Sequence, residues 1–145
     1  MLLTMACAAF LVLLTILIRY EVLRVTSEHL SDLAVPPRFR IVPLVLAAFA
    51  AHTAEIWLYG IAYYLLSGHV GELRSLGDPM EFVDFIYFSA STYSTIGYGD
   101  IAPHGGLRLI ASIEGLNGLV LVAWSASFTY FAMEKYWPLH AGKAV

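Results

Sequence analysis

Three long apolar stretches alternate with polar segments along the chain. Residues 1–18 carry no charge and match the ~20 apolar residues needed to cross ~30 Å of hydrocarbon. The first charge, Arg19, follows this run, whereas a secretory leader carries basic residues ahead of its apolar core. The pattern therefore predicts an uncleaved span. Residues 19–40 read as a polar connector, with Arg19, Arg24, Arg38 and Arg40 as its basic members. Apolar spacing from Glu21 to Leu33 suggests a helix lying on the membrane surface, and Pro36-Pro37 breaks any helix before the next span. Residues 41–67 form a second predicted span, with Tyr59, Tyr63 and Tyr64 crowding its end as interfacial aromatics do.

A Gly-rich polar loop is expected over 67–78. Asp78-Pro79-Met80-Glu81 then reads as a helix start: Asp78 caps free amides, Pro79 suits the first helical position, and Glu81 lies three residues after the cap. A helix over 79–94, roughly 15 residues or ~22 Å long, is too short to cross alone and reads as re-entrant. A third span is predicted over 107–133, ending in an aromatic cluster of Tyr130, Phe131, Tyr136 and Trp137. Residues 134–145 form a tail too short for a domain.

The resulting fold class is an all-α membrane protein: residues 1–40 as a first span with its connector, a core over 41–133, and a short tail. Composition agrees. Hydrophobic residues make up 59% of the 145 and charged ones only 13%, against roughly 25% charged in soluble domains. Mean hydropathy is +0.73. A net charge of −3 leaves no electrostatic footprint for nucleic acid. Cys7 is the single cysteine and forms no internal disulfide. Six of eight Lys and Arg (Arg19, Arg24, Arg38, Arg40, Lys135, Lys143) fall in the connector and the tail. Three crossings place those segments on one side, which the basic-residue rule makes cytoplasmic, with the N-terminus outside a plasma membrane.

The segment 95–100, Thr-Ile-Gly-Tyr-Gly-Asp, carries the chemistry. Irregular backbone at membrane depth is tolerated only where it is buried in protein or lines a cavity. Gly97 and Gly99 can take positive φ without strain. Alternating the sign of φ turns consecutive carbonyls to one side, so a ring of such strands stacks cages of oxygen that replace the hydration shell of a cation. The carbonyls of Thr95, Ile96, Gly97 and Tyr98, with the Thr95 hydroxyl, would form the ion sites. Asp100 lies at the outer mouth.

The text Ser91-Thr92-Tyr93-Ser94-Thr95-Ile96-Gly97-Tyr98-Gly99-Asp100-Ile101-Ala102-Pro103 resembles that of the tetrameric potassium channels with two helices around a re-entrant pore loop. The pattern of threonine, hydrophobe, glycine, tyrosine, glycine and aspartate, followed shortly by proline, stands complete, and the resemblance covers residues 41–133. It implies a homotetramer in a lipid membrane and potassium ions as the permeant species. It also implies an outer helix over 41–67, a pore helix over 79–94, a filter over 95–100 and an inner helix over 107–133. One filter strand per chain agrees with the fourfold assembly, since one strand cannot encircle an ion. The first span is then an addition expected to wrap the pore's periphery.

The resemblance further implies a glycine hinge about ten residues after a basic residue near the inner helix's start. Gly118 lies ten residues after Arg108, with Gly115 close by; close helix packing is the competing reading for both. With Gly118 as hinge, Leu119, Val122, Ala126 and Tyr130 share a face and line the pore. Relatives carry pore-helix tryptophans and a glutamate that pairs with the mouth aspartate. Tyr87, Phe88 and Ser91 stand there instead, so that clamp is missing, although the Tyr98 ring can still pack on this aromatic surface.

His52 and Glu55 share a helical face, and Glu114 is a third polar residue inside a span. Three readings stand: a hydrogen-bonded cluster tying span two to span three or to the filter support, a proton sensor at His52, or a divalent-metal site. Asn117 either projects into the cavity or bonds between helices. Four copies of the outer acidic residues Glu72, Asp78, Glu81, Asp84 and Asp100 would raise local cation concentration. No span carries periodic arginines and no ligand-binding domain is seen, so gating is expected from the pore itself, pH, lipid, tension or a separate regulatory subunit. The expected function is a passive potassium channel and not an enzyme. The alternatives are a non-selective cation channel and, remotely, a membrane metal-binding protein or enzyme built on His52, Glu55 and Glu114.

Overall fold

The computed structural model describes residues 1–30, 36, 39–77 and 79–136. Four helices and two short strands follow in the order α1 (Leu2–Leu30), α2 (Ile41–Leu66), β1 (Gly71–Ser75), α3 (Phe82–Tyr93), β2 (Ile101–Gly105) and α4 (Leu107–Tyr136). Helices α1, α2 and α4 are long and apolar enough to cross a membrane. Helix α3, at 12 residues and thus ~18 Å, is not. Three spans with one re-entrant helix are the expected fold class.

The spans are packed inside out relative to a soluble protein. On α1 the buried stripe is Thr4, Ala8, Leu11, Thr15, Arg19 and Leu23, while Phe10, Leu13, Leu17 and Tyr20 face outward. On α2 the buried stripe is Leu44, Ala48, Ala51, Glu55, Tyr59 and Tyr63. Polar side chains thus turn inward, where partners exist, and apolar ones outward, as lipid requires. Helix α1 packs on both α2 and α4, and α3 is inserted against α2 and α4.

Several expectations are corrected. The first span does not end at residue 18: no helix breaker follows it, and α1 runs unbroken through Arg19 to Leu30, so Glu21 onward is no separate surface helix. Arg19 is a wholly buried side chain, not a connector charge, and drops out of the orientation count. Tyr59 and Tyr63 are buried too; only Tyr64 sits at the surface, because the other two hydroxyls find partners inside. The loop expected over 67–78 contains β1, which pairs antiparallel with β2 from Gly71↔Gly105 to Ser75↔Ile101. Helix α3 begins at Phe82, not at Pro79. Its cap is Glu81, whose amide donates to Asp84 Oδ2 at 2.7 Å in a reciprocal capping box. Asp78, Pro37, Arg38, Leu33, Trp137, Lys143 and the tail from 137 lie outside the described residues. The third span continues to Tyr136.

Candidate functional site

The irregular segment 95–100 leaves the C-terminal end of α3 and leads directly into β2. Its backbone alternates as the glycine pattern demands, with φ of 60° at Thr95, 58° at Gly97 and 83° at Gly99. For the glycines this conformation is free of strain. For a β-branched threonine it is a rare conformation, of the strained kind that persists only when its surroundings enforce it. The enforcing bonds come from α3. Thr95 N donates to Thr92 O at 3.0 Å, and Ile96 N and Gly97 N both donate to Ser91 O, at 3.0 and 3.1 Å. The free carbonyls that every helix leaves at its C-terminus are here used to shape the strand that follows.

The far end of the segment is held by the sheet. Asp100 O accepts from Leu76 N at 3.1 Å, and Asp100 Oδ1 accepts from Ile101 N at 3.1 Å. Thr4 of α1 lies against Gly106 just past β2, so the start of the chain and this end of the segment share one side of the molecule. The Tyr98 ring stacks on Tyr87 of α3, with centroids 6.1 Å apart and planes 7° from parallel. Partial desolvation and the Asp100 carboxylate beside it push the Tyr87 phenol above its ordinary range. Tyr87 and Ser91 of α3 stand at the positions named above, and Tyr87 lies beside Asp100.

Behind this segment the buried polar side chains divide into three sets. The innermost centres on Arg19, all five of whose N–H groups meet acceptors. Nε and Nη2 form a fork to Glu55 at 3.1 and 2.7 Å. Nη1 reaches Ala48 O at 3.2 Å and Ser125 Oγ at 2.9 Å. Nη2 meets His52 Nδ1 at 2.7 Å; a guanidinium only donates, so Nδ1 accepts. Glu55 Oε2 also accepts from the Tyr93 hydroxyl at 2.5 Å, and Tyr93 is the last residue of α3. In the second set, Asn117 Nδ2 donates to Thr15 Oγ1 at 2.8 Å and to the Tyr59 hydroxyl at 3.2 Å. In the third, Tyr63 donates to Glu114, and Ser89 Oγ lies 2.6 Å from Glu114 Oε1 and 2.8 Å from Ile56 O.

His52 and Glu55 therefore meet, with Nδ1 3.6 Å from Oε2, but Glu114 belongs elsewhere. Among the described residues no group of three or more His, Cys, Asp and Glu is gathered to hold a metal. Asn117 bonds between helices. Gly118 permits close packing, since a Cβ there would lie 2.3 Å from Tyr93 O; Gly115 lies beside Thr92 O. Leu119, Val122 and Tyr130 are exposed on α4, together with Ala126. Val122, Ala126 and Tyr130 also line an open apolar cavity of about 640 Å³ that reaches His52 and Tyr93. Sequence reasoning missed Arg19. Its signal was register: it continues the inward stripe of Thr4, Ala8, Leu11 and Thr15.

A family described as "Ion channel" matches residues 51–135, more than half of the chain and all of the re-entrant segment. The chain belongs to the ion channel family. Among its relatives, the inward rectifier potassium channel Kirbac3.1 of Paramagnetospirillum magnetotacticum is 29% identical over 105 residues, which is 72% of this chain and 33% of the relative. Two pore potassium channel b of Oryza sativa subsp. japonica is 36% identical over 87 residues, 59% of this chain and 22% of the relative. An uncharacterized membrane protein of Bacillus subtilis (strain 168), YdjJ, is 40% identical over 52 residues, 35% of this chain and 15% of that protein. The channel chain thus spans a third or less of the length of these curated relatives. No solved structure gives a significant match. The matched region of the ion channel begins inside α2, so α1 with its Arg19 lies outside it.

Proposed function

We propose that the chain assembles as a homotetramer around a central pore and conducts potassium ions passively across the plasma membrane. The observation that carries this reading is the strand 95–100, with positive φ at every second residue and a short capped helix ahead of it. Such a backbone turns successive carbonyls the same way, and four copies around one axis stack rings of oxygen that replace the water shell of a desolvated monovalent cation. Thr95, Ile96, Gly97 and Tyr98 supply the rings, and Gly99 and Asp100 form the mouth. The C-terminal ends of four α3 helices bring partial negative charge toward the cavity below the filter, which favours a cation there.

Two further features support the assignment. Leu119, Val122, Ala126 and Tyr130 form the α4 face left uncovered within the subunit, and in the assembly they line the inner pore. Helix α4 is continuous, with Gly118 packed on Tyr93, so in this conformation that glycine brings inner and pore helices together; bending at Gly115 or Gly118 belongs to gating. The sequence similarity to two potassium channels points the same way on ion type. The N-terminus and mouth face outside, and the C-terminal end of α4 faces the cytoplasm. Arg24, Arg40 and Lys135 still give the basic bias that sets this orientation once Arg19 is removed from the count. The protein supplies a pathway and no bond-making chemistry, and potassium is its cargo.

The test is the reversal potential of purified protein in planar bilayers under opposed potassium and sodium gradients of equal total cation. A reversal close to the potassium equilibrium potential is expected. A reversal near zero would leave a non-selective cation channel.

A further inference from the structure

The ion channel match covers the pore and leaves α1 without a role, yet α1 sends an arginine into the subunit, where one carboxylate separates it from the last residue of α3. We propose that Arg19 is a filter-positioning residue: the first span supplies the cation that fixes the end of the pore helix from which the filter strand springs. This inference rests on the filter reading above.

The path consists of contacts already described, and Arg19, Glu55 and Tyr93 on it are all buried. Arg19, from α1, holds Glu55 of α2 by both carboxylate oxygens. Its remaining N–H groups are spent on α2 and α4, through Ala48 O, His52 Nδ1 and Ser125 Oγ. Both Arg19 and Glu55 have side chains that are 0% exposed. The fork fixes the carboxylate in position and orientation, as planar bidentate pairing does. Glu55 in turn fixes the Tyr93 hydroxyl at 2.5 Å. Tyr93 closes α3, and the two residues before it, Ser91 and Thr92, carry the carbonyls that accept from Thr95, Ile96 and Gly97. On its other side the Tyr93 carbonyl is backed by Gly118 with no room for a Cβ. Tyr93 is therefore pinned from α2 and α4 at once, and the strained φ at Thr95 is set by what Tyr93 holds still.

This arrangement exceeds what helix packing needs. Apolar residues at 19 and 55 together could fill the same space, and a buried charge is tolerated only where a charge and hydrogen bonds match it, as here. Lysine carries the same charge but has no fork, so the charge and the geometry can be separated.

The experiment uses the full chain reconstituted in bilayers, with assembly checked by size-exclusion chromatography. Arg19→Lys and Tyr93→Phe are each expected to assemble and to lower the potassium-to-sodium permeability ratio at least fivefold. Both should also speed the loss of current when potassium is withdrawn from the mouth side. The double variant should be no worse than either single one, because both cut the same path. Unchanged ratios in the two assembled variants, or losses that multiply in the double variant, would overturn the proposal. Should Arg19→Lys fail to assemble, Tyr93→Phe decides alone, since it leaves the Arg19–Glu55 pair in place. A wild-type protein without potassium selectivity would instead refute the filter reading, so the two failures are told apart.

Discussion

Glu55 and Glu114 are both fully buried, both sit in membrane-crossing helices, and both tie those helices to α3. They are stabilised differently. Glu55 faces a guanidinium that contributes two hydrogen bonds and a full opposite charge. Glu114 meets only the hydroxyls of Tyr63 and Ser89 among the described residues, and the single Ser89 proton is shared with Ile56 O. The first is an ion pair whose members depend on each other. The second is a neutral-donor network that lacks one hydrogen for its acceptors. The same residue type is thus a charge matched by a charge in one place and a polar linker in the other.

The largest effect is expected from Arg19→Met. It leaves Glu55 buried without its cation, a loss of about 3–5 kcal/mol for a broken buried pair. Thermal unfolding of the detergent-solubilised protein should show a large fall in midpoint and a low yield of assembled protein. A wild-type midpoint would mean that Glu55 does not depend on Arg19. The sharpening experiment is Arg19→Met combined with Glu55→Met. Replacing both partners with apolar groups removes the lone charge, and the double variant should recover more than half of what the single one lost. Additive losses would break the comparison at its base.

Much of this architecture was legible in the chain. Span positions, the re-entrant helix and the glycine alternation follow from local rules of hydropathy, capping and φ. The site's supports were not, for identifiable reasons. Arg19 read as a connector charge because hydropathy counts a charge against a span, while its partner lies far along the chain at Glu55. Tyr59 and Tyr63 read as interfacial because tyrosine is common there, and only three-dimensional pairing shows their hydroxyls bonded inside. The β1–β2 pairing was hidden because Gly71–Ser75 has the composition of a loop and gains its strand geometry only from β2. The cap of α3 was misplaced because two acidic residues, Asp78 and Glu81, both lie where a cap is expected.

Smaller effects refine the comparison. Asn117→Leu removes a donor shared by Thr15 and Tyr59 and leaves two buried hydroxyls with fewer partners. About 1–2 kcal/mol is expected, read as a modest shift in midpoint with assembly retained. Glu114→Gln should be the mildest. Its carboxamide keeps an oxygen for Tyr63 and adds a donor for Ser89, so the change in stability should stay within about 1 kcal/mol. The same replacement at Glu55 removes the charge opposite Arg19 and should be several-fold worse by that assay. Equal effects at the two sites would show that the network, and not the cation, decides their behaviour.

The buried arginine also constrains how the protein is made. Until α2 is synthesised, the α1 guanidinium lacks the carboxylate it meets in the fold, since Glu55 emerges 36 residues later. An isolated α1 would carry a lone cation into the bilayer, which is unfavourable. Pairing with Glu55 removes that cost, so the stability of α1 in lipid is tied to the presence of α2.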